Sequence, residues 1–343
     1  MSTGTQPDWR RGRVVASDPV AQETRRITIE RPARGRAAPG SHLDVRVRIG
    51  DVTDTRSYSV VESDPSGGRL TISVLRCVPS RGGSTFMHEL AVGDEVEVTQ
   101  PLQNFPLRVG ARRYVLLAGG IGITALVEMG RVLRSLGADY TLVYVGRSRG
   151  RMAYLQELTA LHGKRLVAAI DDEGSALDVA ALVAGVADDP LGAETELYMC
   201  GPIRLMDAVR REWEGAQLPA SNLRYETFGS SGWFRPEEFT VRIPQLQLET
   251  TVGADETMLE ALTRAGADLM YDCRKGECGL CCVDIDQVDG RVDHRDVFLS
   301  SAQKSGDRSL CTCVSRIVAA SARDRPAVSL VLPGAAARTP SLP

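Results

Sequence analysis

The sequence predicts a multidomain chain: an antiparallel β-barrel first, an α/β domain on a parallel sheet second, and an α+β domain of the β-grasp kind last. Three observations predict it. Residues 12–107 carry short alternating strands broken by turn residues, residues 112–228 alternate apolar strands with helical stretches, and six of the eight cysteines crowd between Cys273 and Cys313. The boundaries are drawn at 1–108, 109–228 and 229–343. At 343 residues the chain exceeds one ordinary domain of about 100–200 residues.

In the first part the strand candidates are RVVAS from Arg13, TRRITIE from Thr24, HLDVRVRI from His42, RLTISVLR from Arg69 and DEVEVT from Asp94. Many short strands with Gly, Pro and Asp turns suit a small barrel. Arg56, Ser57, Tyr58 and Ser59 open a further candidate strand. Arginine offers a fork for phosphate, tyrosine a flat ring for an isoalloxazine, and serine a hydroxyl for a flavin edge atom. Arg81, Gly82, Gly83, Ser84 and Thr85 then open the helical stretch TFMHEL, where backbone N–H groups can gather a phosphate. Each motif alone also reads as an exposed strand edge or a plain glycine turn. Together they predict a flavin phosphate site.

The second part has strand candidates at Tyr114 (YVLLA), Thr141 (TLVYVG), Arg165 (RLVAAI) and Glu196 (ELYMC), with helical stretches from Thr124, Leu155, Ala176 and Ile203. Such alternation implies a parallel sheet with right-handed crossovers. In LLAGGIGITA, Gly119, Gly120 and Gly122 let a dinucleotide pyrophosphate approach a helix N-terminus, although the run is not the G-x-G-x-x-G fingerprint. YMCGP puts Cys200 and Gly201 at another strand end, where ligands of parallel sheets bind; a buried cysteine also serves as a small hydrophobe. Arg147, Ser148 and Arg149 follow a strand and suit a 2′-phosphate, or are simply solvated.

After Phe228 the stretch GSSGWFRPEE reads as a linker, followed by strands FTVRI from Phe239 and LQLETTV from Leu246 and a helix in DETMLEALTRAG capped by Asp255. Next comes CRKGECGLC, with Cys273, Cys278 and Cys281 spaced C-x4-C-x2-C and a distant fourth cysteine, Cys311 or Cys313. This is the plant-type [2Fe-2S] spacing; zinc sites use paired C-x2-4-C units instead. Gly276 and Gly279 let the backbone wrap closely. VDHRD from Val292 is expected to close this domain structurally, and AAARTPSLP to be a frayed tail.

Composition excludes some function classes. The net charge is −3, from 41 basic and 44 acidic side chains, so no global field points to nucleic acid or an anionic membrane. No stretch reaches the ~18 apolar residues of a spanning helix, and the N-terminus lacks an apolar signal region. A cytoplasmic, monomeric protein with reduced thiols is expected.

RSYS at Arg56, RGGS at Arg81, AGGIGIT at Ala118, MCGP at Met199 and the cysteine loop together resemble the phthalate dioxygenase reductase family, which includes vanillate O-demethylase reductases. The resemblance runs from about Arg13 to about Leu332. It implies FMN rather than FAD, hydride supplied by NADH with NADPH left open, and single electrons leaving through the ferredoxin domain. It assigns Arg56, Tyr58 and Ser59 to the flavin, Gly82, Gly83 and Ser84 to its phosphate, and Gly119, Gly120, Gly122 and Thr124 to the nicotinamide nucleotide, with Cys200 and Gly201 beside the nicotinamide. Ser59 and Cys200 would flank the reacting atoms. PLQNFPL from Pro101 would close the flavin domain, and Glu226, Thr227 and Phe228 would abut the flavin. The ending CVSR matches the family at Cys313 and favours it over Cys311. Ala125 stands where the family usually has proline.

The resemblance further implies a terminal oxygenase partner, a Rieske non-haem iron protein or, alternatively, a haem-thiolate monooxygenase. The docking face is expected around Arg274, Lys275 and Glu277. A redox sensor built from the same modules is the rival of another class.

Overall fold

The computed structural model describes residues 8–332 except 34, 79, 230 and 322–324; the expected frayed tail lies outside the described residues. The chain divides into two compact units, Met1–Gly201 with Ala208–Glu226, and Pro202–Asp207 with Thr227–Pro343.

The first unit begins with β1 (Arg10–Ala21), β2 (Thr24–Glu30), β3 (Ser41–Ile49), β4 (Val52–Ser63), β5 (Arg69–Leu75), α1 (Gly83–Glu89), β6 (Glu95–Val98) and β7 (Leu102–Gln103). The strand order β4-β5-β2-β1-β6-β3, closed by a β4–β3 pairing, makes a six-stranded antiparallel barrel, with β7 added on β3. Alternation fills it: Leu43, Val45 and Val47 of β3 point inward while Arg46 and Arg48 point out. Ile27, Ile29, Leu70, Ile72 and Val98 complete a core that Met87 of α1 plugs.

The chain continues with β8 (Arg113–Gly119), α2 (Ile123–Ser135), β9 (Tyr140–Gly146), α3 (Leu155–His162), β10 (Leu166–Ile170), α4 (Val179–Ala187), β11 (Thr195–Cys200), α5 (Ile203–Gly215) and β12 (Leu223–Glu226), all in the first unit except residues 203–207 at the start of α5, which fall in the second. All neighbours in the sheet β10-β9-β8-β11-β12 are parallel. After β8 the chain winds to one side through β9 and β10, then returns to place β11 on β8's other edge. The switch point of this sheet therefore lies between β8 and β11, and ligands of open parallel sheets bind beyond the strand C-termini at such a point.

The second unit contains β13 (Phe239–Ile243), β14 (Leu248–Val252), α6 (Met258–Arg264), β15 (Cys282–Asp289), β16 (Arg291–Asp293), α7 (Ser301–Ser305), β17 (Ser309–Cys311), β18 (Arg316–Val318) and β19 (Ala327–Val331). The mixed sheet β14-β13-β19-β15-β17 packs Val241, Val283 and Leu330 against Met258, Ala261 and Leu262 of α6, a β-grasp arrangement. Asp255 does not cap α6. Thr257 does, in a capping box with Glu260, because the T-x-x-E spacing satisfies two N-terminal donors reciprocally. Nor is GSSGWFRPEE an unattached linker. The Trp233 N–H donates to Asp293 Oδ1 at 2.9 Å, and Arg295, itself ion-paired with Asp293, donates to the Phe234 carbonyl at 3.1 Å. VDHRD thus closes the domain by gripping the preceding segment. Among the described residues no helix is long and apolar enough to cross a membrane.

One packing detail sets a pH dependence. His162, on α3, is buried with its Nδ1 hydrogen-bonded to the Tyr140 hydroxyl at 2.6 Å, and burial, helped by nearby arginines, lowers its pKa to about 4. The unfolded chain binds this proton below about pH 6.5 whereas the folded chain does not until about pH 4. Its contribution is thus present above pH 6.5 and is lost as pH falls toward 4, by up to about 3 kcal/mol. Thermal midpoints of the wild type and His162→Gln should converge between pH 6.5 and 4.5; a constant gap contradicts this account.

Candidate functional site

Between Val52 and Ser59, β4 pairs only with β3, and from Val60 it pairs with β5. Along Arg56–Ser59 the other strand edge is therefore open, and its N–H and C=O groups are available to a ligand. The sequence places RSYS at the start of a strand, but the strand begins four residues earlier. The two-residue turn Gly50-Asp51 after Ile49, with Gly50 at φ +59°, builds a hairpin that extends β4 through polar residues.

Cross-strand pairing puts Arg56 beside Val45 and Tyr58 beside Leu43, with Ser57 and Ser59 on the opposite face beside Asp44 and His42. Arg56 is ion-paired with Asp54 and donates to the Arg81 carbonyl at 3.5 Å. A Cβ on Gly83 would lie 2.7 Å from Arg56 Nε, so the arginine motif and the glycine turn lie side by side. Gly82 sits at φ +83° as the N-cap of α1. The Ser84 hydroxyl accepts from the Cys77 N–H at 3.1 Å and meets the Ser80 hydroxyl at 3.1 Å, bracing the turn. Tyr58 packs against the barrel core, and burial pushes its phenol pKa up. The Ser59 hydroxyl is buried and donates to Glu226 Oε2, 3.4 Å away at the end of β12.

At the switch point Cys200 pairs with Ala118, which sets the Gly119–Gly122 turn beside Cys200 and Gly201. The approach is close. A Cβ on Gly122 would stand 2.1 Å from the Cys200 carbonyl oxygen, and one on Gly201 3.0 Å from Gly119 Cα. Gly120 has φ +54° with nothing within 4 Å of its missing side chain, leaving its backbone open to a ligand. Thr124 is buried, and its hydroxyl donates to the Ile121 carbonyl at 2.9 Å; it holds the turn. Arg147 is exposed beyond β9, whereas Arg149 makes two hydrogen bonds to Glu173 at 2.5 and 2.8 Å.

In the second unit the cysteine loop wraps tightly. Arg274, Gly276 and Gly279 have positive φ of 53°, 78° and 75°. A Cβ at Gly276 would meet Val314 at 2.7 Å and Asp296 Cα at 2.9 Å, and one at Gly279 would enter the Phe298 ring at 2.3 Å. The backbone N–H groups of Lys275, Glu277 and Cys278 each point at Cys273 Sγ from 3.4 Å. With a hydrogen bond from Cys313 as the leading cause, helped by these donors, the Cys273 pKa is held well below the usual thiol range. Cys313 lies against Cys273 and Cys281, while Cys311 lies against Cys281 and Cys282.

This donor set fits an iron-sulfur cluster: soft thiols on a glycine-bent loop whose N–H groups stabilise sulfur charge. Each iron of a two-iron centre takes two protein ligands, so the four thiols need not converge on one point. Among the described residues no three His, Cys, Asp or Glu side chains do so.

The residues expected at a docking face differ in exposure. Arg274 is exposed and donates to Glu260 at 2.8 Å, but Glu277 turns inward and accepts the Thr227 N–H at 2.6 Å. Beside the charged Asp268, Asp272 and Arg274, the exposed side chains near the loop include the apolar Met270, Tyr271, Leu280 and Phe298. Sequence reasoning missed Glu277's inward role because an acidic loop residue reads as solvated. Phe298 carried a usable signal, being a lone aromatic just beyond VDHRD. Phe228 is half-buried and belongs to the second unit.

Residues 241–318 match the family described as 2Fe-2S iron-sulfur cluster binding domain. The chain is 32% identical over 282 residues to the carnitine monooxygenase reductase subunit of Acinetobacter pittii (strain PHEA-2), covering 82% of this chain and 90% of the relative. It is 33% identical over 306 residues to the vanillate O-demethylase oxidoreductase of Pseudomonas sp. (strain HR199 / DSM 7063), covering 87% and 93%. Among solved structures it is similar to phthalate dioxygenase reductase, described as a modular structure for electron transfer from pyridine nucleotides to [2Fe-2S], at 28% identity and a TM-score of 0.68, covering 94% and 98%. An intact type IV self-sufficient cytochrome P450 monooxygenase is similar at 35% identity and a TM-score of 0.61, covering 94% of this chain and 41% of that one.

Proposed function

Because the chain belongs to the family of phthalate dioxygenase reductase and vanillate O-demethylase oxidoreductase, we propose that it is the reductase component of a two-component oxygenase. In this reading it carries electrons from NADH through FMN and a [2Fe-2S] cluster to a Rieske non-haem iron partner. The observation that carries the reading is the presence, on one chain, of an open flavin-binding strand edge, a glycine-lined switch-point crevice and a loop of three ligand thiols with Cys313 beside it.

When bound, the flavin accepts both electrons of a hydride and the cluster passes them on singly. The chain's residues supply position. Gly120 and Gly122 admit a pyrophosphate to bare backbone at the start of α2, with Cys200 and Gly201 walling the nicotinamide side. Gly82, Gly83 and Ser84 form the turn for the flavin phosphate, with Arg56 beside it, and Tyr58 and Ser59 meet the ring. Cys273, Cys278, Cys281 and Cys313 would hold the cluster. This assignment divides the chain at 108/109 and 228/229, and we place the protein in the cytoplasm as a monomer.

NADH is favoured over NADPH because the guanidinium of Arg149 is engaged by Glu173, and a carboxylate there opposes a 2′-phosphate. Steady-state turnover with cytochrome c or ferricyanide as acceptor tests the function. Sustained turnover at least tenfold more efficient with NADH than with NADPH is expected. Reduction that stops after one filling of the cofactors would move the protein to the sensor class. A haem-thiolate partner is the second reading, favoured by the 35% identity to the P450 that carries a similar module within its own chain.

A further inference from the structure

Glu226 and Thr227 are neighbours in sequence, yet they are anchored in different places. Glu226 ends β12 in the first unit, and its carboxylate accepts from Ser59, in the motif assigned to the flavin. Thr227 opens the second unit, 3% exposed. Its N–H donates to Glu277 Oε1 at 2.6 Å and its hydroxyl donates to the Lys275 carbonyl at 2.7 Å. Gly229, at φ +66°, follows so closely that a Cβ there would stand 3.4 Å from Lys275 Cα and 3.5 Å from Val314.

Lys275 and Glu277 lie between the cluster ligands Cys273 and Cys278, and Val314 follows Cys313. Both donors of one threonine therefore fasten onto the loop that holds the cluster. A β-branched side chain suits this, because its restricted χ1 keeps the hydroxyl aimed. A carboxylate taken out of water is costly unless its oxygens are hydrogen-bonded, so the Glu277 carboxylate favours the clasped arrangement over an open one.

We propose that Thr227 and Glu277 form a clasp that holds the cluster loop in one conformation and so sets the rate at which the cluster takes up each electron. The proposal rests on the electron-transfer reading above and adds to it which residues govern that step. In the step itself the reduced flavin gives up one electron and the cluster gains it, and no protein bond is made or broken. The clasp acts on the rate of that step alone.

The test uses the holoprotein and its variants Thr227→Val, Thr227→Ser and Glu277→Leu, under anaerobic mixing with NADH. Flavin bleaching should keep its wild-type rate in Glu277→Leu, and because Thr227 is assigned beside the flavin, its two variants are compared by the ratio of cluster to flavin bleaching. Cluster bleaching should slow at least tenfold in Thr227→Val and Glu277→Leu and recover in Thr227→Ser, which restores the hydroxyl. In the oxidised holoprotein, amide exchange over residues 273–278 should rise in Thr227→Val and not in Thr227→Ser. Wild-type cluster and exchange rates in both clasp-breaking variants overturn the clasp and leave the electron-transfer reading standing. A wild-type cluster that NADH never bleaches sinks both.

Discussion

Cys313→Ser is expected to empty the protein of iron, while Cys311→Ser keeps its full content. The two cysteines are a residue apart, but they face different neighbours. Cys313 lies against Cys273 and Cys281, from the first and last positions of C-x4-C-x2-C. Cys311 lies against Cys281 and Cys282; its backbone pairs with Cys282 in the β15–β17 ladder and its side chain is fully buried. It packs as a small hydrophobe. A serine hydroxyl is a harder donor that does not match thiolate affinity for these irons, so losing one of four ligands should cost the cluster. Iron and acid-labile sulfide per chain decide it: about two irons in the wild type and Cys311→Ser, near none in Cys313→Ser. The reverse pattern would make Cys311 the ligand.

The second large effect is expected at Gly122. The added methyl of Gly122→Ala would stand 2.1 Å from the Cys200 carbonyl oxygen, 2.4 Å from its carbon and 2.9 Å from the Gly201 nitrogen. All three are backbone atoms, so no side chain can swing away. The ends of β8 and β11 must part at the switch point where the nicotinamide nucleotide is assigned. We expect a stability loss of about 1–3 kcal/mol from overpacking and a fall of at least about 100-fold in NADH-driven flavin bleaching, equivalent to nearly 3 kcal/mol of barrier. Dithionite should still reduce both cofactors. Gly163→Ala, at the end of α3 and outside the crevice, is the control: nothing lies within 4 Å of its Cβ, and the cost is that of placing alanine at φ +54°, about 1 kcal/mol. A wild-type NADH rate in Gly122→Ala would contradict the crevice assignment.

Much of this architecture is legible in the chain because local chemistry and tertiary structure agree. TRRITIE alternates cleanly and forms β2 over the same residues, Thr24–Glu30, and the helical stretches from Leu155 and Ile203 begin where α3 and α5 begin. The cysteine spacing is legible for the same reason, since a short loop must itself supply three ligands. Misplacements occur where distant partners decide. β4 starts early because β3 pairs with it, β12 is four residues long and exists through its parallel neighbour β11, and Trp233 is held by Asp293, sixty residues away. Thr257 was readable, since its glutamate stands three residues on. The clasp was not: no property of Glu277 alone says that its carboxylate meets the backbone of Thr227.

The central claim is that one chain carries electrons from NADH through a flavin to a [2Fe-2S] cluster. The visible absorption spectrum of the purified protein, recorded anaerobically before and after one equivalent of NADH, tests it most directly. The account predicts flavin bands on a broad iron-sulfur envelope, with both bleached by NADH. Chromophores that dithionite bleaches but neither NADH nor NADPH touches would contradict it, removing the nucleotide crevice from the electron path and leaving the sensor as the better description.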